Sequence, residues 1–525
     1  MLRQEKEANM RKPSPERIER RISAAASVAM CVLVVCIQIA FSILLTRFLH
    51  EYYSFIYGTL QMIAVVIAVW IYTRHGSPSY KLSWMCLLLL LPVSGMILFV
   101  LWGGTQQAKT LSLRKVPPPA EKESSRRAST ENLARLNRWN PAWGRLATYL
   151  QKRGFLVYKG TRVHYMGDGA EFLDELIARM EKAETYIFLE YYILAEGEIW
   201  NRIFDVLRRR VEQGVEVRII FDDFGNLTRL SDETLQKIQD AGIEVEVFNP
   251  VHRYVNRIYF NFRDHRKIAV IDGYWAYTGG INIGDEYANI VNRYGHWKDS
   301  GVRIEGAAAW GFAAQFIQMW KMMGRTMPNE DDYYRPQMEC EGEGWCQPFT
   351  DGPVSNPDHP IEEVYLQMIS SANHMVYITT PYYAVEDAMQ KALCIAADAG
   401  VDVRLMIPAV PDHKFTYMVA ETYWGQLLSH GVKIYKYTPG FLHAKSVMVD
   451  REVALVGSTN MDYRTFHLHY EGAALMYNSP VVEELLEDMD CIMQQSHIYT
   501  LEEWNKRSWL RRGFASVLKL FAIWL

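Results

Sequence analysis

Polar and apolar positions along the chain fall into two regimes that meet near residue 104. Before it stand three runs without a charged residue: Ser23 to Thr46, Tyr52 to Thr73 and Leu82 to Gly104, of 24, 22 and 23 residues. At 1.5 Å per residue each is long enough to cross a hydrocarbon core of about 30 Å, so the pattern predicts two to three transmembrane helices in 1–104. Aromatic residues at the ends of the runs (Tyr52, Tyr53, Trp70, Tyr72, Trp84) fit interfacial belts. A cleaved signal peptide fits poorly, because the first run exceeds a typical signal core and two more follow.

After Gly104 the text turns polar, with Pro117-Pro118-Pro119 and a Ser-rich, charged stretch from Glu121 to Thr130, which reads as a basic linker over 105–144. From about residue 145, strand-like alternation and amphipathic helical stretches take turns, the pattern of a mixed α/β fold. That pattern recurs. Thr185 to Ile193 is echoed by Met375 to Tyr383, Gly214 to Asp222 by Gly400 to Pro408, and Gly242 to Phe248 by Gly431 to Tyr437. Three echoes in one order predict a duplication: one lobe over 145–330, a second over 331–503, and a tail over 504–525.

Composition sharpens this picture. With 525 residues, 49% of them hydrophobic, and a formal charge of −4, the chain is neither disordered nor one small domain. Residues 1–130 carry a net +9 and residues 504–525 a net +5, which leaves −18 on the body between them. Basic ends around an acidic body fit a protein held against an anionic bilayer. They argue against a nucleic-acid partner, which would want a basic groove. Orientation stays open. With three spans, the two sides carry nine and seven Lys/Arg, too close for the positive-inside rule. Were the first run not to cross, both basic flanks would share the cytoplasmic side. The seven cysteines form neither a disulfide framework nor a zinc pattern.

The chemistry lies in a fourth echo. His265-Arg-Lys267 runs on to Asp272, then Gly279, Gly280 and Asn282; His443-Ala-Lys445 runs on to Asp450, then Gly457, Ser458 and Asn460. In a chain of this composition HxKxxxxD arises by chance about 0.03 times. His and Lys two apart on a strand share a face. Brought together across a pseudo-twofold axis, two imidazoles, two ammonium groups and the amides of Asn282 and Asn460 make a phosphoryl site. Lys267 and Lys445 would neutralise phosphate oxygens, the asparagines would hydrogen-bond them, and His265 and His443 would divide the nucleophile and proton work. Side chains supply the charge there, so no cofactor or metal is expected. Asp272 and Asp450 complete the catalytic signature, but lie seven residues after their histidines and hence on the opposite strand face. They read as ties for turns or backbone.

These motifs resemble the phospholipase D superfamily, and within it the bacterial cardiolipin synthases. The resemblance extends through Tyr80 to Trp84, Phe188 to Tyr192, Phe262 to Lys267, Tyr277 to Asn282, Asp351 to Pro353, Thr380 to Tyr383 and Gly457 to Arg464. It implies two phospholipase D-like lobes at a cell membrane and phosphatidyl transfer through a phosphohistidine. Two phosphatidylglycerols would become cardiolipin and glycerol, with His265 as nucleophile and His443 as acid and base. It also implies that an acidic residue after each motif, here Asp299 and Glu471, orients the histidine of the other half. Three departures stand out: Asp264 where the family often has Asn, Thr465 where Ser is common, and His469 in place of an Asn. Asp264 is expected to raise the basicity of His265. Competing readings are a hydrolytic phospholipase D, transfer to another alcohol, and a non-catalytic membrane scaffold.

Overall fold

The computed structural model describes residues 52–74, 76–103, 113–119, 122–250, 262–334, 340–356, 359–520 and 522, with scattered positions between 36 and 47. The first apolar run, Ser23 to Thr46, therefore lies mostly outside the described residues.

The second run is helix α1 (Tyr53–Thr73), whose segment Ser54–Thr73 is the one helix among the described residues long and apolar enough to cross a membrane. The third run is not one continuous helix. It forms two short helices, α2 (Pro78–Leu90) and α3 (Pro92–Trp102), that fold against each other. Pro92 has no N–H to continue the ladder, and Leu91 leaves helical geometry at φ −130° and ψ 73°. The contacts are those of an antiparallel hairpin: the Tyr80 hydroxyl donates to the Gly103 carbonyl at 2.8 Å, and the Trp84 and Phe99 rings meet at 5.2 Å. Gly95 lies so close to Leu87 and Leu88 that a Cβ there would meet the Leu87 carbonyl oxygen at 2.7 Å. Composition marks this run as apolar enough to span; the proline break turns it back.

The stretch expected to be linker also differs. It contains a helix over Glu123–Trp139, followed by another over Pro141–Gln151. Leu136, Trp143, Leu146 and Leu150 from these helices are buried in the core around the second sheet. In the first of these helices the buried face is narrow, Ser129, Asn132 and Leu136, and the surrounding charge hides it.

The body holds two sheets. The first draws on β1 (Thr161–Met166), β2 (Tyr186–Tyr191), β3 (Glu216–Asp222), β4 (Glu244–Phe248), β6 (Lys267–Ile271), β7 (Trp275–Gly279) and β9 (Gly301–Gly306), with short β5 (Arg263–Asp264) and β8 (His296–Lys298) leaving it. Its order is β1-β9-β7-β6-β2-β3-β4. The second draws on β10 (Trp345–Asp351), β11 (Met375–Thr379), β13 (Asp402–Pro408), β14 (Lys433–Tyr437), β16 (Ser446–Val449), β17 (Val453–Gly457), β19 (His469–Tyr477) and β20 (Ser496–Tyr499). Short β12 (Tyr383–Ala384), β15 (Gly440–Leu442) and β18 (Met461–Asp462) accompany it. Its order, β10-β19-β17-β16-β11-β13-β14-β20, repeats the first and adds one edge strand. The fold is thus mixed α/β and duplicated.

Two small strand pairings stitch the lobes together. β5 pairs in parallel with β19, and β8 with β15. Helix Ala309–Met322, nearly all of it buried, packs against strands of both sheets. The seam is therefore a shared core, and both histidine motifs open onto it.

Candidate active site

Each seam pairing delivers one histidine. The His265 amide donates to the Tyr470 carbonyl at 2.9 Å, and the His443 amide to the Lys298 carbonyl at 2.7 Å. The residue after each of those carbonyls is an acid, Glu471 or Asp299. A short parallel pairing across the seam thereby sets a carboxylate of one lobe beside the imidazole of the other. His265 Nδ1 lies 2.9 and 3.2 Å from the two Glu471 oxygens, and His443 Nδ1 lies 2.6 Å from Asp299 Oδ2. With Nδ1–H donated to a carboxylate, Nε2 of each ring is left as the reacting nitrogen. Both carboxylates are fully buried, and the imidazoles are only 8% and 7% exposed.

The two carboxylates are held differently. Ser458 donates its hydroxyl to Glu471, and the Ser300 amide donates to Asp299 at 2.8 Å. In the first lobe the position matching Ser458 is Gly280, where a Cβ would stand 2.1 Å from Asp299 Oδ1. Only glycine leaves room for that carboxylate.

Lys267 and Lys445 are buried beside their histidines, and each Nζ donates to the carbonyl of the histidine two residues before it, Lys267 at 2.5 Å. Burial lowers Lys267 to about 7 and Lys445 to about 8, against the pull of Glu471 and Asp299. The histidines follow the same logic. Burial and the two lysines push His265 well below its ordinary value, and burial with Lys445 brings His443 down to about 4. Among the carboxylates, burial raises Glu471. It also works upward on Asp299, but His443 and Lys445 together hold that group below its usual value. Asp299 thus stays ionised and can support an imidazolium once His443 takes a proton, while burial and the lysines keep both rings neutral in the empty site.

Aromatic rings wall the site. Tyr192 packs on His265 with ring centroids 5.0 Å apart and lies 5.4 Å from Lys267 Nζ; Trp297 and Phe441 pack on His443 at 5.1 and 5.7 Å. Pattern reading did not assign these side chains to the site. Their only signal was an aromatic residue at the end of a strand that also ran beside a histidine motif.

The remaining sequence candidates sort unevenly. The Asn282 amide is committed: its oxygen accepts from the Ile193 amide at 3.0 Å and its nitrogen donates to the Tyr287 hydroxyl at 2.8 Å. Asn460 is buried, with an amide oxygen that has no hydrogen-bond partner among the described residues. Asp264, expected to act on His265, faces Arg266 instead, at 3.0 Å from Nε, and Arg266 reaches on to Glu190. Its pull on His265 is upward but is outweighed by burial and the lysines.

Asp272 and Asp450 are not brought to the imidazoles. Asp272 accepts from the amides of Glu184, Thr185 and Tyr186 at 2.7–3.0 Å, and Asp450 from those of Asn373, His374 and Met375 at 2.7–2.9 Å. Each carboxylate closes the turn between two strands onto the start of a third, from a left-handed backbone at φ 54° and 53°. Asp272→Asn and Asp450→Asn keep a residue tolerant of that backbone and remove only charge-assisted bonds, so each should cost about 2 kcal/mol. Thermal unfolding should show a fall in Tm for both, while turnover measured well below Tm stays within a few-fold of wild type.

Among the described residues two groups of side chains have ligand atoms close enough to hold a cation, His265 with His469 and Glu471, and Glu362 with Glu386 and His467. A cation in the first would take the carboxylate that orients His265.

Residues 176–320 and 365–493 match the family described as "Cardiolipin synthase, PLD-like domain", and residues 62–104 match "Phospholipase_D-nuclease N-terminal". The cardiolipin synthase of Oceanobacillus iheyensis is 34% identical, over 85% of this chain and 93% of its own length. That of Alkalihalophilus pseudofirmus is 31% identical, over 89% and 94%. An uncharacterised protein of Streptococcus mutans is 38% identical, over 72% of this chain and 82% of its own. Among solved structures, phosphatidylserine synthase from Haemophilus influenzae superposes with a TM-score of 0.55 at 16% identity, covering 71% of this chain and 97% of that one. This last likeness concerns the fold.

Proposed function

The chain belongs to the cardiolipin synthase, phospholipase D-like family, and from that premise we propose that it is a phosphatidyltransferase that joins two phosphatidylglycerols through its paired histidines. The observation that carries the mechanism is the reciprocal exchange of carboxylates, Glu471 to His265 and Asp299 to His443. Neutral His265 attacks phosphorus through Nε2, and His443, its proton supported by Asp299, protonates the departing glycerol oxygen. Glycerol leaves and phosphatidyl-His265 remains. A hydroxyl of the second phosphatidylglycerol then gives its proton to His443 and attacks phosphorus, which releases His265 and forms cardiolipin. Lys267 and Lys445 face the phosphoryl oxygens and become fully charged when that anion arrives. Phosphatidylglycerol, the membrane anchor and a multi-pass topology belong to this same reading, which α1 and the basic flanks of the apolar runs support.

The depressed lysines make binding a protonic event. At pH 8 an empty site holds Lys267 mostly neutral and Lys445 about half neutral, and a bound phosphodiester favours the ammonium forms. Binding at that pH should therefore take up protons, about one per site. Calorimetry of a short-chain phosphatidylglycerol in buffers of different ionisation heat reads this directly. Uptake should fall in Lys267→Met and vanish near pH 6; binding without uptake at pH 8 would contradict the assignment of these lysines.

The function itself is tested with labelled phosphatidylglycerol in detergent containing a chelator. Cardiolipin and glycerol should appear in equal amounts. Phosphatidic acid alone would make the protein a hydrolase, and no turnover of any phospholipid would remove the enzyme.

A further inference from the structure

The α2–α3 hairpin decides where the catalytic body sits. Its two ends lie together, because Tyr80 near the start of α2 bonds to Gly103 just past α3. Against α1 the hairpin runs antiparallel: Lys81 Nζ donates to the Tyr72 carbonyl at 3.3 Å, and Gln61 Nε2 to the Leu89 carbonyl at 3.1 Å. Its tip thus stops level with Gln61, while α1 continues to Tyr53. Thirteen residues of α2 advance about 20 Å, short of a hydrocarbon core of about 30 Å.

The mouth of the hairpin is fastened to the body. Ser77, which caps α2, hydrogen-bonds Glu386 at the start of helix Asp387–Asp398, and Ser83 donates to the Leu520 carbonyl at 2.5 Å. Leu520 closes the carboxy-terminal helix (Trp509–Lys519). That helix buries Ala515 against the body and turns an apolar face outward, with Trp509 77%, Leu510 64%, Phe514 50% and Val517 54% exposed. An outward apolar stripe on a basic helix, level with the mouth of an apolar hairpin, has the build of an interfacial element.

We propose that α2–α3 is a re-entrant hairpin and that the carboxy-terminal helix lies in the same membrane surface, so that the body is seated on the face where α1 ends, the cytoplasmic one. The partner of this surface is an anionic lipid leaflet. Charge supports the side: Arg74, Lys81, Arg114, Lys115 and Lys122 flank the membrane on the body's face, against Arg47 between the first two apolar runs. A third straight span would have divided those five cations between the two faces. The seat explains how both phosphatidylglycerols reach the seam from one leaflet, and it rests on reading the chain as membrane-inserted.

Single cysteines at Tyr52, Arg74 and Lys115, in full-length protein freed of its native cysteines, are probed in intact and opened cells with a membrane-impermeant maleimide. Positions 74 and 115 should label only after the membrane is opened, and position 52 from outside. Labelling of 74 and 115 from opposite faces overturns the hairpin, and labelling of both from outside overturns the side. Release of the chain by alkaline carbonate would instead sink the membrane-inserted reading. In proteoliposomes containing phosphatidylglycerol, brominated lipid should quench a tryptophan component that disappears in Trp509→Phe. Equal quenching in both proteins would remove the carboxy-terminal helix from the surface.

Discussion

Alanine at His265 is expected to lower phosphatidyl transfer by at least about 10³-fold, because the nucleophile and its activated geometry are lost together. His443→Ala should lose about as much, since the same ring serves both half-reactions as acid and then base. The double variant should be little worse than either single one, because residues that act as a unit do not contribute additively. The two singles should differ in one respect. With His443→Ala, a substrate whose leaving alcohol needs no protonation, such as a p-nitrophenyl phosphodiester, should recover part of the first step; with His265→Ala it should not. Steady-state kinetics on both substrates reads this. Equal recovery in both variants would mean that the roles are not divided between His265 and His443 as assigned.

The second large effect crosses the seam. Asp299→Asn should silence His443, and Glu471→Gln should silence His265, each by roughly 10²- to 10⁴-fold in kcat with a smaller change in KM. An amide can offer its N–H to Nδ1 and so hold the wrong tautomer, with Nε2 protonated and no longer able to attack or to accept. Asp299→Asn should be the harsher on the acid step, because Asp299 is the carboxylate held below its usual value by His443 and Lys445. The p-nitrophenyl substrate separates the two again: it should relieve Asp299→Asn and leave Glu471→Gln slow. Wild-type kcat in either variant would mean that these carboxylates only fill space.

Much of this site was legible in the sequence, for a physical reason. A strand fixes the spacing at which His and Lys share a face, and a duplicated strand repeats it, so His265, Lys267, His443 and Lys445 could be read from spacing alone. Asp299 and Glu471 could not. They act across the seam, where the pairings of β5 with β19 and β8 with β15 decide which acid meets which imidazole, and only the family resemblance placed them. Nor could sequence foresee that Asn282 would spend its amide on Ile193 and Tyr287, or that Arg266 would draw Asp264 aside. The duplicated α/β order was visible because two strands in each lobe open after a helix-closing glycine, Gly214 and Gly242 in the first and Gly400 and Gly431 in the second. That the third apolar run is two helices was hidden because hydropathy averages over Pro92, whose missing N–H breaks the ladder.

In this mechanism phosphatidyl is carried on His265, held by Glu471 from the other lobe. The most direct measurement is rapid quench of the wild-type enzyme with acyl-labelled phosphatidylglycerol under alkaline denaturing conditions, followed by mass spectrometry of its peptides. Label should build up before the steady state on the peptide containing His265, fall as cardiolipin forms, and be absent from His265→Ala. Full turnover with no protein-bound phosphatidyl at any time, or label that persists in His265→Ala, would rule out an intermediate on His265.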